Sequence, residues 1–151
     1  MTKIDVLKAI IRVWSSEQNI DAVLAHLTTD IVWHVAAASK PPVHGHDGAR
    51  QFLQEYRKKI SSQNWRIFNY AETGDVLLLE GVDEITTVDD KQLIMPYAGI
   101  LEFRGEQIKA WRDYYDPAAT EACAIARANG EPIAEHIQML IERPALPGLG
   151  A

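Results

Sequence analysis

Apolar residues recur at helical spacing at the start of the chain. Ile4, Leu7, Ile10, Ile11 and Trp14 fall three or four apart, which predicts an amphipathic first helix. Asn19 or Asp21 then starts a second helix with Val23, Leu24 and Leu27 on its inner face, and Thr28-Thr29-Asp30 ends it. Ile31 to Val35 is β-branched and aromatic and reads as a strand. Ala36 to Gly48, with its prolines and glycines, reads as a loop. Asp47 is placed to cap a third helix that carries Phe52, Leu53 and Tyr56 inward.

After Ser61-Ser62 the period changes from helix to strand. Trp65 to Ala71, Val76 to Thr86, Gln92 to Phe103 and Gln107 to Tyr115 are separated by the turns Gly74-Asp75, Asp89-Asp90 and Arg104-Gly105. These lengths suit an antiparallel meander, and helices followed by a meander make an α+β fold. Pro96 interrupts its strand and calls for a bulge or an edge position. Pro117 opens a helical stretch around Ala122 to Ala128, Asn129-Gly130 stops it, and Pro132 to Ile141 offers one more short helix. The expected layout is one domain over residues 1–143 and a loose tail over 144–151. A sheet that wraps helices in this way must curve strongly, and its concave mouth is a natural pocket.

The length of 151 residues suits one domain, and a hydrophobic fraction of 47% is enough for one core. With 21 acidic residues against 15 Lys and Arg, the formal charge is -6, which lacks the basic footprint of a nucleic-acid or anionic-membrane binder. That balance favours a neutral or cationic ligand over an anionic one. The apolar runs are too short to span a bilayer, the start of the chain has no signal-peptide core, and the reading is a cytoplasmic protein. The single cysteine, Cys123, excludes an internal disulfide and a cysteine metal cluster.

Strand alternation exposes the candidate chemistry. Gly81, Asp83 and Ile85 share one face of their strand, with Glu80, Val82 and Glu84 on the other. Trp111, Asp113 and Tyr115 share one face of the last strand, with Arg112 and Tyr114 opposite. An aspartate among aromatic residues on a buried face needs a partner or a chemical role. If Asp83 and Asp113 face one pocket, their repulsion lets one keep its proton while the other ionises, giving an acid and a base without metal or cofactor. If they lie at strand edges, they are only solvated charges.

The blocks GDVLLLEGVDEI and IMPYAGILEFRGEQIKAWRDYYDP, and the earlier DIVWHVAAASKPPVHGHDGARQFL, resemble the limonene-epoxide hydrolases and the SnoaL-like polyketide cyclases. Both have the cone-shaped nuclear-transport-factor-2-like fold, a cystatin-like α+β barrel. The resemblance runs from about Ile4 to Asp116, and WRDYYD is its most specific piece. It implies that Asp83 and Asp113 are an acid and a base that open an epoxide on a small apolar substrate without a cofactor. The hydrolase pattern lays the acid on Asp83 and the base on Asp113, an order that these residues do not themselves reveal. The hydrolases also have an arginine bridging the aspartates and a tyrosine and an asparagine holding the water. Here Gly81, Trp33 and Val35 stand at those positions. Without the cation one carboxyl should rise further.

Three readings follow. The pair opens an epoxide by hydrolysis or internal cyclisation, or it moves a proton beside a carbonyl as an isomerase, cyclase or dehydratase does. In the third reading the domain is a non-catalytic binding or dimerisation module. Trp33, Val35, Gly81, Ile85, Met95, Tyr97, Trp111 and Tyr115 are the expected substrate-binding positions, with Tyr97 and Tyr115 as polar tips. The resemblance also implies a homodimer. His34 should face away from the pocket unless a bulge turns it inward as a further acid or base. His44 and His46 read as loop histidines meeting backbone rather than metal ligands, and Arg112 and Glu80 read as outer-face charges free to pair.

Overall fold

A computed structural model describes residues 1–150. Helix α1 (Lys3–Glu17) begins in a capping box: the Thr2 hydroxyl accepts from the Asp5 amide, and the Asp5 carboxylate accepts from Thr2. Its buried face is Ile4, Val6, Leu7, Ile10, Ile11 and Trp14. Asn19 caps the single-turn α2 (Ile20–Leu24). Strand β1 (Leu27–His34) follows at once. Leu27 therefore belongs to β1 and not to the second helix, and Thr28 to Asp30 extend the strand instead of breaking the chain. Within the expected loop, Val43–His44 forms the two-residue strand β2 against Trp33 and Val32. Helix α3 (Gly45–Lys59) starts at Gly45, whose φ of 68° lets the chain swing from β2 into the helix, so Asp47 lies inside its first turn and is not the cap.

The meander is β3 (Ile60–Thr73), β4 (Val76–Thr87), β5 (Gln92–Arg104) and β6 (Gln107–Tyr114). The strand order is β2-β1-β6-β5-β4-β3, with β1 parallel to β6 and every other pairing antiparallel. The sheet stays open, with β2 and β3 as its edges. A register shift between Ile67 and Asn69 marks a bulge at Phe68 that bends β3. Pro96 sits opposite Val82 in an unbroken β4–β5 ladder, and β6 reaches β5 only as far as Ala98. Of the two options for this proline, the edge position is the one adopted.

The main core lies between α1, α2, α3 and the concave face; Leu7, Leu27, Ile31, Ile67, Leu77, Leu101 and Ile108 are fully buried there. Helices α4 (Pro117–Ala128) and α5 (Glu135–Ile141) cover part of the convex face. There Phe68, Val82, Ile94, Cys123, Ile133, Ile137 and Ile141 form a second core, so Cys123 is packing. Arg66 fastens α5 by donating to the carbonyls of Ile141 and Arg143 at 2.7 and 2.9 Å.

The end of the chain is not loose. The Leu146 amide donates to the Ile67 carbonyl, the Ile67 amide donates to the Leu149 carbonyl, and Leu149, 1% exposed, is part of the main core. Ile67 lies on the edge strand β3, whose outer side has no strand partner, and the tail satisfies its backbone groups there. Arg112 and Glu80 do not meet: Arg112 pairs with Glu102 at 2.6 Å and Glu80 with Arg143 at 2.8 Å. No described helix is long and apolar enough to cross a membrane.

Candidate active site: an aspartate pair in an aromatic cavity

Between the helices and the concave face lies a cavity of about 480 Å³. Asp83 and Asp113 both line it, as do Trp33, Val35, Ile85, Met95, Tyr97, Trp111 and Tyr115. The expected positions therefore converge, with two exceptions. Gly81 is not on the wall: a β-carbon there would lie 2.4 Å from the Arg66 carbonyl oxygen, so backbone fills its inner side. His34 is not on the wall either; no bulge turns it inward, and its Nδ1 is buried without a partner among the described residues. The two expected loop histidines lie in regular elements, His44 in β2 and His46 in the first turn of α3, and His46 meets backbone through a ring nitrogen 2.9 Å from the Leu27 carbonyl.

Strand register assembles the centre. Asp83 of β4 lies opposite Met95 of β5, and Asp113 of β6 lies opposite Gly99 of β5. Tyr97 stands between Met95 and Gly99 on the same face, so it is the diagonal neighbour of both aspartates. Its own partner on β4 is Gly81, so no side chain crowds its ring from there. Gly99 makes room in a similar way, since a β-carbon there would come within 2.9 Å of Asp113 Oδ1. Two glycines thus clear the space in which a tyrosine and two carboxyls meet.

Neutral donors hold this centre. Trp14 Nε1 donates to Gln63 Oε1 at 2.8 Å, and Gln63 Nε2 donates to Asp83 Oδ1 at 3.2 Å. An indole N–H only donates, so it fixes which end of the Gln63 amide faces the carboxylate. Trp111 Nε1 donates to Asp113 Oδ1 at 3.1 Å, and Trp65 Nε1 donates to the Tyr97 hydroxyl at 2.7 Å. Because Tyr97 Oη accepts from Trp65, its own proton is free, with no acceptor among the described residues.

Both aspartates are partly accessible, through the cavity, and otherwise surrounded by protein. Burial pushes the Asp83 carboxyl up to about 7, against the pull of the Gln63 bond. Asp113 is raised well above the usual carboxylate range, by burial first and then by the Asp83 charge, with the Trp111 bond opposing. Burial and both carboxylates likewise hold Tyr97 protonated. Repulsion between the two carboxyls opposes ionising both at once.

The remaining wall is aromatic. All four tryptophans of the chain, Trp14, Trp33, Trp65 and Trp111, line the cavity. Trp33 and Trp111 are neighbours across the parallel β1–β6 pair, and their rings stack at 5.0 Å. Phe52 and Tyr56 of α3 close the opposite side, stacked at 5.6 Å. Sequence reasoning missed Gln63, Trp65, Trp14 and Gly99 as parts of the site. The signal for the first two was the alternation of Gln63, Trp65 and Ile67, masked because Phe68 and Arg66 bury the other face as well.

The SnoaL-like domain family matches residues 7–111. No curated protein matches the sequence. Solved structures share the fold at low identity. An LEH-like epoxide hydrolase from M. tuberculosis is 19% identical with a TM-score of 0.71, over 85% of this chain and 96% of that one. A putative SnoaL-like polyketide cyclase from Shewanella denitrificans OS-217 is 13% identical with a TM-score of 0.72, over 83% and 97%. A protein from Catenulispora acidiphila with a ketosteroid isomerase-like fold, in complex with trimethylamine, is 20% identical with a TM-score of 0.71, over 87% and 97%.

Proposed function

The chain belongs to the SnoaL-like domain family, and from that membership we propose that it is a cofactor-independent acid/base enzyme moving a proton beside a carbonyl group of a small, largely apolar substrate. The observation that carries this reading is the Tyr97 hydroxyl, pinned by Trp65 with its own proton free, at the diagonal position to both aspartates.

In the reaction, Asp83 as carboxylate removes a proton from the carbon next to the carbonyl. The electron pair moves onto the carbonyl oxygen, which accepts hydrogen bonds from Tyr97 and from protonated Asp113. Asp83 then returns the proton to another carbon, which isomerises the substrate, or the enolate carbon closes a ring onto a second carbonyl carbon of the same molecule, whose oxygen takes the π electron pair of its own C=O bond and the proton from Asp83. A carboxylate base working against an oxyanion held by a phenol and a neutral carboxyl is an effective division of labour at neutral pH. Both carboxyls are raised by burial, and this reading takes Asp83 as base and Asp113 as acid, the reverse of the hydrolase pattern.

The retained aspartate pair favours a second reading, epoxide opening. Asp113 would protonate the epoxide oxygen while Asp83 takes the proton of an attacking water or internal hydroxyl. Trp33 and Val35 offer no clamp for that water, which ranks hydrolysis second. The two are separated by incubating a panel of apolar ketones and of terpene and alkyl epoxides in deuterated, oxygen-18 water. Deuterium entering a ketone carbon without oxygen-18, and lost in Asp83→Asn, is the expected result. Oxygen-18 in a diol would select hydrolysis. Undiminished turnover in both Asp83→Asn and Asp113→Asn overturns the aspartate mechanism altogether.

A further inference from the structure

The carboxyl pair has no cation of its own. Of the residues lining the cavity only Lys40 and Lys59 are basic, and both are exposed, at the mouth. The donors that do reach the pair, Gln63 and Trp111, are neutral, and each serves an Oδ1. Neither Oδ2 receives a hydrogen bond from a described residue, and neither is sealed from the accessible space. Two acceptor oxygens therefore open onto a space walled largely by indole and phenol rings, whose π-systems attract cations.

We infer that the site takes an organic cation, a protonated or quaternary amine on an apolar body that fits the cavity. The inference rests on the acid/base reading and names the substrate class for the same aspartates. An ammonium group seated against the ring faces within reach of Oδ2 supplies the positive charge that the protein omits. It also holds Asp83 in the carboxylate form that the proposed proton transfer uses. A small organic cation sheds its water more readily than a metal ion does, and ring faces replace that water favourably. The overall charge of -6 draws cations toward the molecule.

The titratable groups reaching the cavity besides the aspartates are the phenols Tyr56, Tyr97 and Tyr115, with Lys40, Lys59 and Glu55 at the mouth. Glu55 is engaged by Lys58 at 3.2 Å. The phenols stay protonated between pH 5 and 8 because burial raises each of them. Within that range the aspartates decide the charge of the interior.

All four tryptophans stand in the wall, so fluorescence of the full chain reports occupancy. Three probes of one size suffice: benzyltrimethylammonium, its neutral carbon isostere neopentylbenzene, and the anion 3-phenylpropionate. At pH 8 the cation should bind about tenfold more tightly than the isostere. The advantage should shrink toward none at pH 5, where both carboxyls are protonated. In the double variant Asp83→Asn, Asp113→Asn the cation should fall to the level of the isostere, whose own binding shows that the cavity is intact. The pH comparison needs no variant and stands if the double variant does not fold. Equal or tighter binding of the isostere or the anion at pH 8, or a cation advantage that is unchanged at pH 5, overturns the inference. Cation selectivity without aspartate-dependent deuterium exchange would remove the catalytic reading alone, and exchange without selectivity would remove this inference alone.

Discussion

Asp83→Asn tests the burial of the pair without any knowledge of the substrate. In the unfolded chain both aspartates ionise near ~4. In the folded chain burial raises Asp83 to about 7 and raises Asp113 well above the usual carboxylate range. Between those limits the native state carries two more protons than the unfolded one, so stability falls as pH rises. The slope for two excess protons is about 2.7 kcal/mol per pH unit, for one about 1.4, and for none zero. Water entering the cavity would screen the carboxylates and narrow this pH window, while the slope per excess proton stays fixed by linkage. Carboxylates held low by partners, such as Asp5, Asp30, Glu80, Asp89 and Glu102, act with the opposite sign. They stabilise above the ordinary carboxylate range and lose that effect as pH falls below it, outside the window of interest. Urea unfolding at intervals from about pH 5 to 6.5 should therefore show a steep decline for the wild type. The decline should be about half as steep in Asp83→Asn, and nearly absent in the double variant with Asp113→Asn. The asparagine keeps the acceptor that Gln63 uses, so the change isolates charge. Equal slopes in the wild type and Asp83→Asn would refute the claim that this carboxyl is held protonated by burial.

Three further outcomes follow from named contacts. Tyr97→Phe removes the donor proposed for the substrate oxygen and should lower kcat by about 100-fold or more, with a far smaller change in ligand affinity, measured by steady-state kinetics on the substrate found by isotope exchange. Gln63→Leu removes the hydrogen bond on Asp83 and should move the acidic limb of the kcat/KM pH profile upward by about one unit; the stranded Trp14 N–H should also cost roughly 1–3 kcal/mol in urea unfolding. Leu149→Ala should cost about 2–5 kcal/mol in the same assay, because this side chain from the end of the chain is 1% exposed in the main core.

The meander was legible because each of its strands ends at a Gly or Asp turn and because Asp83 and Asp113 keep strict alternation with apolar neighbours. Those local rules put both carboxyls on the correct faces. Elements whose identity depends on distant partners were less legible. Thr28 to Asp30 has the composition of a helix stop, yet it continues β1 through a register shift between Leu27 and Val32. The tail has the composition of a linker, yet Leu146 and Leu149 meet backbone groups of Ile67 on the outer side of edge strand β3. An open strand edge leaves no mark on the sequence of a segment about 80 residues away.

Gly81 shows why the site was only half readable. By resemblance it is an arginine position emptied of its side chain, which leaves two carboxyls repelling each other across a vacancy. With the Arg66 carbonyl where its β-carbon would be, no side chain of any kind fits. The change is one of strand pairing before it is one of charge: the bulge at Phe68 brings β3 against β4 and turns Gln63 and Trp65 onto the same wall. The function of the lost cation is thereby divided. Orientation of Asp83 passes to Gln63, itself oriented by Trp14; orientation of Tyr97 passes to Trp65; and Asp113 is held by Trp111. None of these groups carries charge, so position is restored while the electrostatic deficit remains. That deficit raises both carboxyls, Asp83 to about 7, as the proposed acid and base roles require, and it is the reason for proposing a positively charged substrate.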